Sequence, residues 1–419
     1  MYYKFSDYTL SKIKIFKHNR SLLFDVACGT LTALLFSAFI YLEDWGITLK
    51  FLNTLFGVLS LALFIYMPKR AILVAGFLIG LLWFYWIGYS FKYQGVGYMA
   101  PIVTAGFAII YMLFFGVLAL NNRVYIRAFL LFGLSFFEPF DWNWLQIELI
   151  FVDSYIGVFK YQLFLVLLSL TLPAYIKKPY TYLPLGLILL ALNFNPTIQK
   201  DAPLKIKLIH TDIKQEKKWL RESISPTIKM VYREITEATK DGYDIIVFPE
   251  SVFPLYMNKT PLLSYNLLEL SKNITIIAGS LLKEDNKNYN VTYMFQNGKS
   301  KLAKKLVLVP FGEYIPLPKF AQKIINDTFF AGQSDFLTAT KPTDFLIKGV
   351  KFRNAICYEA TCQEIYDGDV DFVIASSNNA WFSPSIEPTI QKLLMRYYAR
   401  KNGVTIYHAA NWRGTGVVK

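Results

Sequence analysis

The sequence predicts a polytopic α-helical membrane domain followed by a layered α/β domain. Hydrophobic residues make up 54% of the 419 residues and charged residues only 18%, which is more apolar than a soluble protein of this length requires. The apolar residues dominate up to about Phe194, and the remainder has the composition of an ordinary soluble domain. We therefore expect a membrane domain over residues 1–200 and a water-soluble domain over residues 201–419.

Seven apolar segments in the first domain approach the length of roughly 20 residues that a spanning helix needs. They lie at Leu22–Tyr41, Phe51–Met67, Ala71–Tyr89, Met99–Leu120, Val124–Phe137, Gln162–Ile176 and Thr181–Phe194. The first segment is long and is followed at once by others, which argues against a cleaved signal peptide. The sequence therefore predicts about seven spans.

The loop charges predict the orientation of these spans. The N-terminal tail and alternate connections carry eleven cations, namely Lys4, Lys12, Lys14, Lys17, Arg20, Lys69, Arg70, Arg123, Arg127, Lys177 and Lys178. The opposite loops carry three lysines beside six acidic residues. Because cationic loops stay in the cytoplasm, the N-terminus is expected there. Seven spans then deliver the second domain to the far side, which in a bacterium is the periplasm.

Short β-branched segments alternate with helical ones in the second domain. Strands are predicted at residues 205–210, 244–250, 274–280, 291–296, 303–310, 350–357, 371–377 and 404–410. Helices are predicted at Ile224–Lys240, Leu262–Ser271 and Ile386–Lys401, and a hairpin turn at Gln296–Lys299. This mixture favours layered α/β packing, with a sheet that is covered on both faces.

Composition also excludes several function classes. The net charge of +14 raises the possibility of nucleic acid, but no compact basic motif is present and much of the excess flanks apolar segments. Three cysteines cannot build a disulfide framework, and three scattered histidines disfavour a metal site. We therefore expect no nucleic-acid partner, no bound metal and no cofactor.

Polar residues at predicted strand ends are the candidates for chemistry, since α/β folds place their sites there. In "VFPES" a predicted buried strand ends at Glu250, and in "NAIC" another ends at Cys357. The segment "KKLVLVPFGEY" offers Lys304, Lys305 and Glu313. A thiol, an ammonium and a carboxylate suffice for covalent acyl transfer. Each also has a structural interpretation: a solvated turn carboxylate, a surface lysine or a core cysteine. The residues alone leave both interpretations open.

The segments "FPES", "KKLVLVPFGEYIP", "ICYE" and "SNNAWF" resemble the nitrilase (carbon–nitrogen hydrolase) superfamily. Behind a polytopic domain they resemble, more specifically, the apolipoprotein N-acyltransferases. The resemblance implies an αββα sandwich with Glu250 as general base, Lys305 as oxyanion support and Cys357 as nucleophile. Lys305 is chosen over Lys304 because it lies eight residues before Glu313. The resemblance also assigns supporting or substrate-binding roles to Glu313, Tyr358, Glu359, Trp219, Asn290 and Trp381.

The resemblance implies a reaction in two halves. An acyl chain passes from a phospholipid, typically phosphatidylethanolamine, to the cysteine as a thioester. It then passes to the α-amino group of a diacylglyceryl-cysteine on an apolipoprotein at the bacterial inner membrane. Two alternatives stay open: a membrane-anchored nitrilase-type amidase that uses water as the acceptor, and a transporter with a periplasmic binding domain.

Some features depart from the family pattern. Asn379 stands where the family usually has Asp, Ser383 where it has Gly, and Ile390–Gln391 where it has a Gln-His pair. The family pattern also continues after Lys419 with further strands and an eighth span.

Other features have two interpretations each. Trp142 and Trp144 are predicted to be interfacial anchors, with a lipid entry site as the alternative. Asp25 is predicted to reach the lipid headgroups, with a polar pathway as the alternative. The apolar segments 253–263 and 316–332 are predicted lids that dip into the bilayer surface, with buried packing as the alternative. Cys362 is predicted to be a packed, free thiol, with a bridge to Cys357 as the alternative.

Overall fold

The computed structural model describes residues 22–194, 198–310, 313–314 and 336–419. Its first part is helical, and most of these helices follow directly from the apolar segments of the sequence. They are α1 (Leu22–Asp44), α2 (Lys50–Tyr66), α3 (Lys69–Phe84), α4 (Ile87–Ser90), α5 (Ala100–Gly116), α6 (Val124–Leu134) and α7 (Lys160–Thr171). Short 3₁₀ segments extend α5 over Val117–Leu120 and α7 over Leu172–Ala174, and a longer one runs over Tyr180–Ala191.

The membrane domain is confirmed, whereas the count of seven spans is not. Within the described residues, the helical stretches Leu22–Asp44 and Gly97–Leu120 are long and apolar enough to cross a bilayer. Lys69–Phe84 and Ile87–Tyr93 add a third span if the pair, bent by 42°, is counted as one. Four shorter apolar helices complete the set: Lys50–Tyr66, Val124–Leu134, Lys160–Ala174 and Tyr180–Ala191. The tail cations before Leu22 lie outside the described residues.

The second domain contains two five-stranded sheets. The first holds β1 (Ile206–Leu208), β2 (Ile245–Val247), β3 (Thr275–Glu284), β4 (Lys287–Gln296) and β5 (Lys299–Lys304) in chain order. The second has the order β10-β9-β8-β7-β6, built from β6 (Asp344–Ile347), β7 (Val350–Ile356), β8 (Phe372–Asn378), β9 (Thr405–Asn411) and β10 (Gly416–Val418). β1, β2 and β3 are mutually parallel, as are β7, β8 and β9.

The two sheets pack face to face. Val247 and Ile277 of the first sheet share one apolar cluster with Phe352 and Ile374 of the second. Helices α9 (Arg221–Lys240) and α10 (Pro261–Leu270), preceded by the short α8 (Gln215–Lys218), contribute to the core on the outer face of the first sheet. Helix α11 (Glu387–Asn402) packs on the outer face of the second. Each sheet is therefore covered by helices on one side and by the other sheet on the opposite side.

Two details differ from the strand predictions. The predicted strand at residues 303–310 is wrong, because β5 ends at Lys304 and the amides of Leu306 and Val307 bond a side chain instead of a sheet. The short strands β6 and β10 had no sequence prediction. The hairpin is confirmed: Gln296 pairs with Lys299, and Asn297 and Gly298 have φ of 52° and 71°.

Helix α11 also contacts the membrane domain through ion pairs. Lys392 Nζ and Arg396 Nη2 lie 3.0 and 3.1 Å from Glu43 Oε1 at the end of α1. Arg396 also pairs with Asp153, and Arg400 Nη2 lies 3.3 Å from Asp153 Oδ1. Asp153 is only 3% exposed, so these cations offset the cost of burying its charge.

The interfacial-anchor interpretation of Trp142 and Trp144 is wrong. Both rings are buried, at 5% and 2% exposure, and stack with Tyr358 at centroid distances of 5.6 and 6.1 Å. The Trp144 indole N–H donates to Thr361 Oγ1 at 2.9 Å, and Asn143 Nδ2 donates to the Thr361 carbonyl at 2.6 Å. This loop between α6 and α7 therefore joins the two domains.

The prediction that the Asp25 carboxylate reaches outward is wrong, whereas its position near the lipid headgroups stays a prediction. The residue lies in the first turn of α1 and is 6% exposed, so its carboxyl does not extend outward from the helix. Its Oδ1 atom has no hydrogen-bond partner within the part of the chain that the structure describes.

We expect Arg396→Ala to destabilise the protein by about 3 kcal/mol, because the buried Asp153 then keeps only Arg400 as a cationic partner among the described residues. Thermal or denaturant unfolding in detergent measures the effect. The matched control is Lys272→Ala, which removes an exposed partner of Glu269 (N–O distance 2.7 Å) and is expected to change the free energy of unfolding much less, since solvent screens this pair. Equal losses in the two variants would contradict the prediction.

Candidate active site

Cys357 sits on a strained turn at the end of a buried strand. Strand β7 ends at Ile356, and Cys357 opens a 3₁₀ turn that ends at Thr361. Its φ of 56° lies in the left-handed region, which non-glycine residues adopt only when their surroundings enforce it. Such strain is typical of residues whose side chain must project from a sheet edge toward a substrate.

The Glu359 carboxylate holds this turn in place. Glu359 Oε1 accepts a hydrogen bond from the Ile356 N–H at 2.6 Å. Glu359 Oε2 accepts from the N–H groups of Leu306 and Val307 at 2.7 and 3.2 Å. Burial raises the pKa of Glu359 to about 7, although these N–H donors and Lys305 act in the opposite direction. One carboxyl group thus links the cysteine turn to the segment that follows Lys305.

Glu250 follows β2 and is placed by a close backbone contact. A Cβ atom on Gly279 of β3 would lie 2.4 Å from the Ser251 nitrogen and 2.8 Å from the Glu250 Cα, so only glycine fits there. Ser251 itself has a φ of 46°. The Glu250 side chain is 7% exposed, and its Oε1 accepts a hydrogen bond from Asn290 Nδ2 at 2.8 Å.

Lys305 follows β5 and is buried at 1% exposure. Its Nζ lies 2.7 Å from Glu313 Oε2, and its backbone N–H donates to the Asn290 carbonyl at 2.9 Å. Asn290 therefore bonds both Glu250 and Lys305. By contrast, Lys304 pairs with Glu284 at 2.6 Å, with 25% and 46% of their side chains exposed. The geometry thus separates a buried lysine from a surface lysine.

The thiol of Cys357 is protonated in this environment. Cys357 is half-buried, but protein atoms surround the sulfur densely enough that burial is the main cause of its raised pKa. The Glu250 carboxylate raises this pKa further, and the Lys305 ammonium lowers it only in part. The thiol must therefore pass its proton to a base before it can attack.

Lys305 remains charged despite its burial. Burial alone lowers its pKa, but the carboxylates of Glu313 and Glu250 more than reverse that effect, so the pKa of Lys305 is raised. A permanently charged ammonium beside a thiol is suited to stabilise an oxyanion that forms on the attacked carbonyl.

A second buried lysine was missed by the sequence analysis. Lys218 is 3% exposed, and its Nζ donates to the Glu250 carbonyl at 2.9 Å. Burial lowers the pKa of Lys218 to about 8, against the opposing influence of Glu250 and Cys357. Its only sequence signal was its position directly before Trp219, because the other four residues of "KQEKK" are also charged or polar.

Two departures from the family pattern contact each other. Asn379 Nδ2 donates to Gln391 Oε1 at 3.1 Å and to the Arg413 carbonyl at 2.9 Å. Gln391 Nε2 in turn lies 4.0 Å from Cys357 Sγ. Both amides are fully buried. Where the resemblance implies Asp and His, this chain has Asn and Gln, so a neutral hydrogen-bonded pair occupies both positions.

The structure brings together six of the predicted site residues: Glu250, Asn290, Lys305, Glu313, Cys357 and Glu359. Tyr358 instead packs on Trp142 and Trp144 of the membrane domain. Trp219 is 44% exposed, and Trp381 packs edge-on against Tyr93 with centroids 5.8 Å apart. The catalytic and supporting roles of all these residues stay predictions.

The remaining sequence expectations have mixed outcomes. Cys362 is confirmed as a packed thiol, at 3% exposure. The lid prediction for residues 253–263 is wrong for most of the segment, because Phe253, Met257 and Leu263 belong to the core over the first sheet. Leu262 in the same segment is 73% exposed. The second predicted lid, residues 316–332, lies outside the described residues.

Two family models match the chain in succession. Residues 23–194 match the apolipoprotein N-acyltransferase integral membrane domain, and residues 212–418 match carbon–nitrogen hydrolase. The fold and site therefore define a carbon–nitrogen hydrolase domain attached to a membrane domain. A CN-hydrolase superfamily protein from Xanthomonas campestris aligns with 13% identity and a TM-score of 0.38, over 50% of this chain and 76% of that one.

The relatives make the identification specific. An apolipoprotein N-acyltransferase of Wolinella succinogenes is 41% identical over 391 residues, covering 92% of this chain and 94% of the relative. One from Helicobacter pylori is 35% identical and covers 86% of each chain, and one from Helicobacter hepaticus is 36% identical and covers 88% of this chain and 93% of the relative. The chain belongs to the apolipoprotein N-acyltransferase family, as the sequence motifs predicted.

Gly279→Ala is expected to lower the rate of acyl-enzyme formation by roughly 100-fold, because the new methyl group displaces Glu250. Labelled phospholipid and rapid quenching measure this rate. Gly106→Ala is the matched control, since a Cβ there meets no atom of the described residues within 4 Å. A Gly279→Ala enzyme with an unchanged rate would show that the position of Glu250 does not matter.

Lys218→Met is expected to slow acyl-enzyme formation roughly 10-fold near pH 7, since one ammonium changes a neighbouring pKa by about one unit. Lys218 is charged below its pKa of about 8 and neutral above it, so the wild-type rate should decline through that pH and the variant should lack this decline. The exposed Lys217→Met is the control. If the rate for Lys218→Met declined through the same pH range, the decline would belong to a group other than Lys218.

Proposed function

We propose that this protein transfers an acyl chain from a phospholipid, through a thioester on Cys357, to the α-amino group of a diacylglyceryl-cysteine on an apolipoprotein. The observation that carries the proposal is the position of Cys357. Its thiol lies within electrostatic reach of Glu250 and Lys305, and the next residue, Tyr358, stacks on the membrane domain. A nucleophile held there suits substrates that are themselves anchored in lipid.

In the first half-reaction, Glu250 takes the thiol proton and the Cys357 thiolate attacks an ester carbonyl of the phospholipid. The Lys305 ammonium stabilises the tetrahedral oxyanion. Collapse of this intermediate breaks the bond to the glycerol oxygen, which leaves with the proton held by Glu250 as a lysophospholipid hydroxyl. The products are the lysophospholipid and a thioester on Cys357.

In the second half-reaction, the neutral α-amine of the acceptor attacks the thioester carbonyl. Lys305 again stabilises the oxyanion. Glu250 takes a proton from the amine nitrogen, and the Cys357 thiolate leaves and receives that proton. The enzyme returns to its starting state and the acceptor gains an amide. Phosphatidylethanolamine is the proposed donor, and each step proceeds with the groups of the chain alone.

We also propose the topology implied by the loop charges, with a cytoplasmic N-terminus and the hydrolase-like domain on the periplasmic side of the inner membrane. Within the described residues, the seven apolar helical segments, counting the bent pair as one, match the odd number of crossings that this topology requires. The amidase and transporter alternatives are not favoured, since the relatives that share nearly the full chain carry the name of an acyltransferase.

Purified protein incubated with phospholipid labelled in its acyl chain is expected to gain a hydroxylamine-sensitive label on Cys357. A diacylated lipopeptide should then remove it as an amide. Cys357→Ala should abolish the label, whereas Cys362→Ala, which alters a buried thiol away from this chemistry, should keep it if the variant folds. A label on Cys362, or normal transfer by Cys357→Ala, would overturn the proposed mechanism.

A further inference from the structure

Glu387 is a buried carboxyl group that the mechanism above does not use. It lies in the first turn of α11 and is 1% exposed. Its Oε2 atom has no hydrogen-bond partner among the residues that the structure describes. A buried carboxyl oxygen without a partner costs the fold free energy. Such a group is more readily explained by a ligand than by stability.

Glu387 lies on the face of α11 that is directed toward Cys357. Glu387 and Gln391 are four residues apart and therefore occupy the same face of α11. Gln391 Nε2 lies 4.0 Å from Cys357 Sγ. The Glu387 carboxyl is also close enough to raise the pKa of Cys357, and Glu250 is close enough to raise the pKa of Glu387. Glu387 therefore borders the space around the thiol and the base.

The surroundings of Glu387 favour the uncharged form of its carboxyl. Burial is the main cause, and the nearby Glu250 carboxylate adds to it, so the pKa of Glu387 lies well above the usual range. An uncharged carboxyl can accept a hydrogen bond without attracting a cation. It thus favours a neutral amine, which is nucleophilic, over an ammonium, which is not.

The two half-reactions differ in their need for such a group. In the first half-reaction the phospholipid ester brings no N–H group to the reacting carbonyl. Glu250 already takes the thiol proton, and Lys305 already stabilises the oxyanion. The acceptor brings a primary amine with two N–H bonds, and Glu250 takes the proton from only one. The second N–H needs an acceptor inside a buried site.

We propose that Glu387 binds the acceptor amine, accepting a hydrogen bond from the N–H that Glu250 does not take, so that the nitrogen lone pair points at the thioester carbonyl. This assignment rests on the proposed function and deepens it: Glu387 is a residue of the second half-reaction alone. Because the proton ends on Cys357 in either case, Glu387 changes the geometry of attack and not the proton balance.

The test separates the two half-reactions in the full-length protein. Acyl-enzyme formation is measured with labelled phospholipid, and the thioester is then mixed with increasing concentrations of diacylated lipopeptide in single turnovers. Glu387→Leu should form the thioester within about 3-fold of the wild-type rate and transfer it roughly 30-fold more slowly. Glu387→Gln keeps an uncharged carbonyl acceptor and should restore transfer to within about 5-fold. Glu364→Leu, at an exposed carboxylate, is the control.

A second probe is an N-methylated lipopeptide, whose amine has a single N–H. The wild type should prefer the primary amine, and Glu387→Leu should lose most of that preference. If the Glu387→Leu protein fails to accumulate, Glu387→Ala replaces it, and its preference for the primary over the N-methylated amine is measured in the same way. Unchanged transfer in the leucine or alanine variant, or equal slowing of both half-reactions, would overturn the assignment. Loss of transfer in Glu387→Gln as severe as in Glu387→Leu would do the same. A wild type without a thioester would instead refute the proposed function.

Discussion

The whole site depends on how the turn from Cys357 to Thr361 is held. Three consecutive side chains of this turn serve three different parts of the molecule. Cys357 faces the buried charges, Tyr358 stacks on Trp142 and Trp144 of the membrane domain, and Glu359 bonds the segment after Lys305. The left-handed backbone at Cys357 permits this division, and the contacts on either side maintain it.

The charges around the thiol are arranged so that none is left without compensation. Lys305 is paired with Glu313, and Lys218 bonds the main chain of Glu250. Burial and the nearby Glu250 carboxylate raise the pKa of Glu387, which disfavours an extra negative charge near Glu250. Because buried charges are costly unless paired, this arrangement keeps the resting thiol neutral. Under the proposed mechanism, the thiol stays protonated until a substrate carbonyl is bound.

The parts of this structure that local patterns determine could be predicted from the sequence. Strands β2 and β7 are short β-branched segments, and the motifs that follow them carry Glu250 and Cys357. The roles of Trp142 and Trp144 could not be predicted, because aromatic rings suit a membrane surface and a protein core equally well. Lys218 and Glu387 could not be identified either, since a single charged residue in a polar segment has no local signal of burial. The apolar segments of the first domain were correctly predicted to be helices. The lengths of these helices could not be predicted, because they depend on breaks such as the bend after Phe84.

Helix α11 has consequences beyond the site, because it is buried on two sides. One face packs on the second sheet, while Leu393 and Leu394 belong to an apolar cluster that extends to Phe36 and Phe64 in the membrane helices. Separating the halves would expose that cluster on both and leave Asp153 without its arginine partners. We therefore regard the chain as a single cooperative folding unit. A soluble fragment cut after the last membrane helix would resemble the hydrolase domain in sequence, yet it would lack the surface against which the turn carrying Cys357 packs.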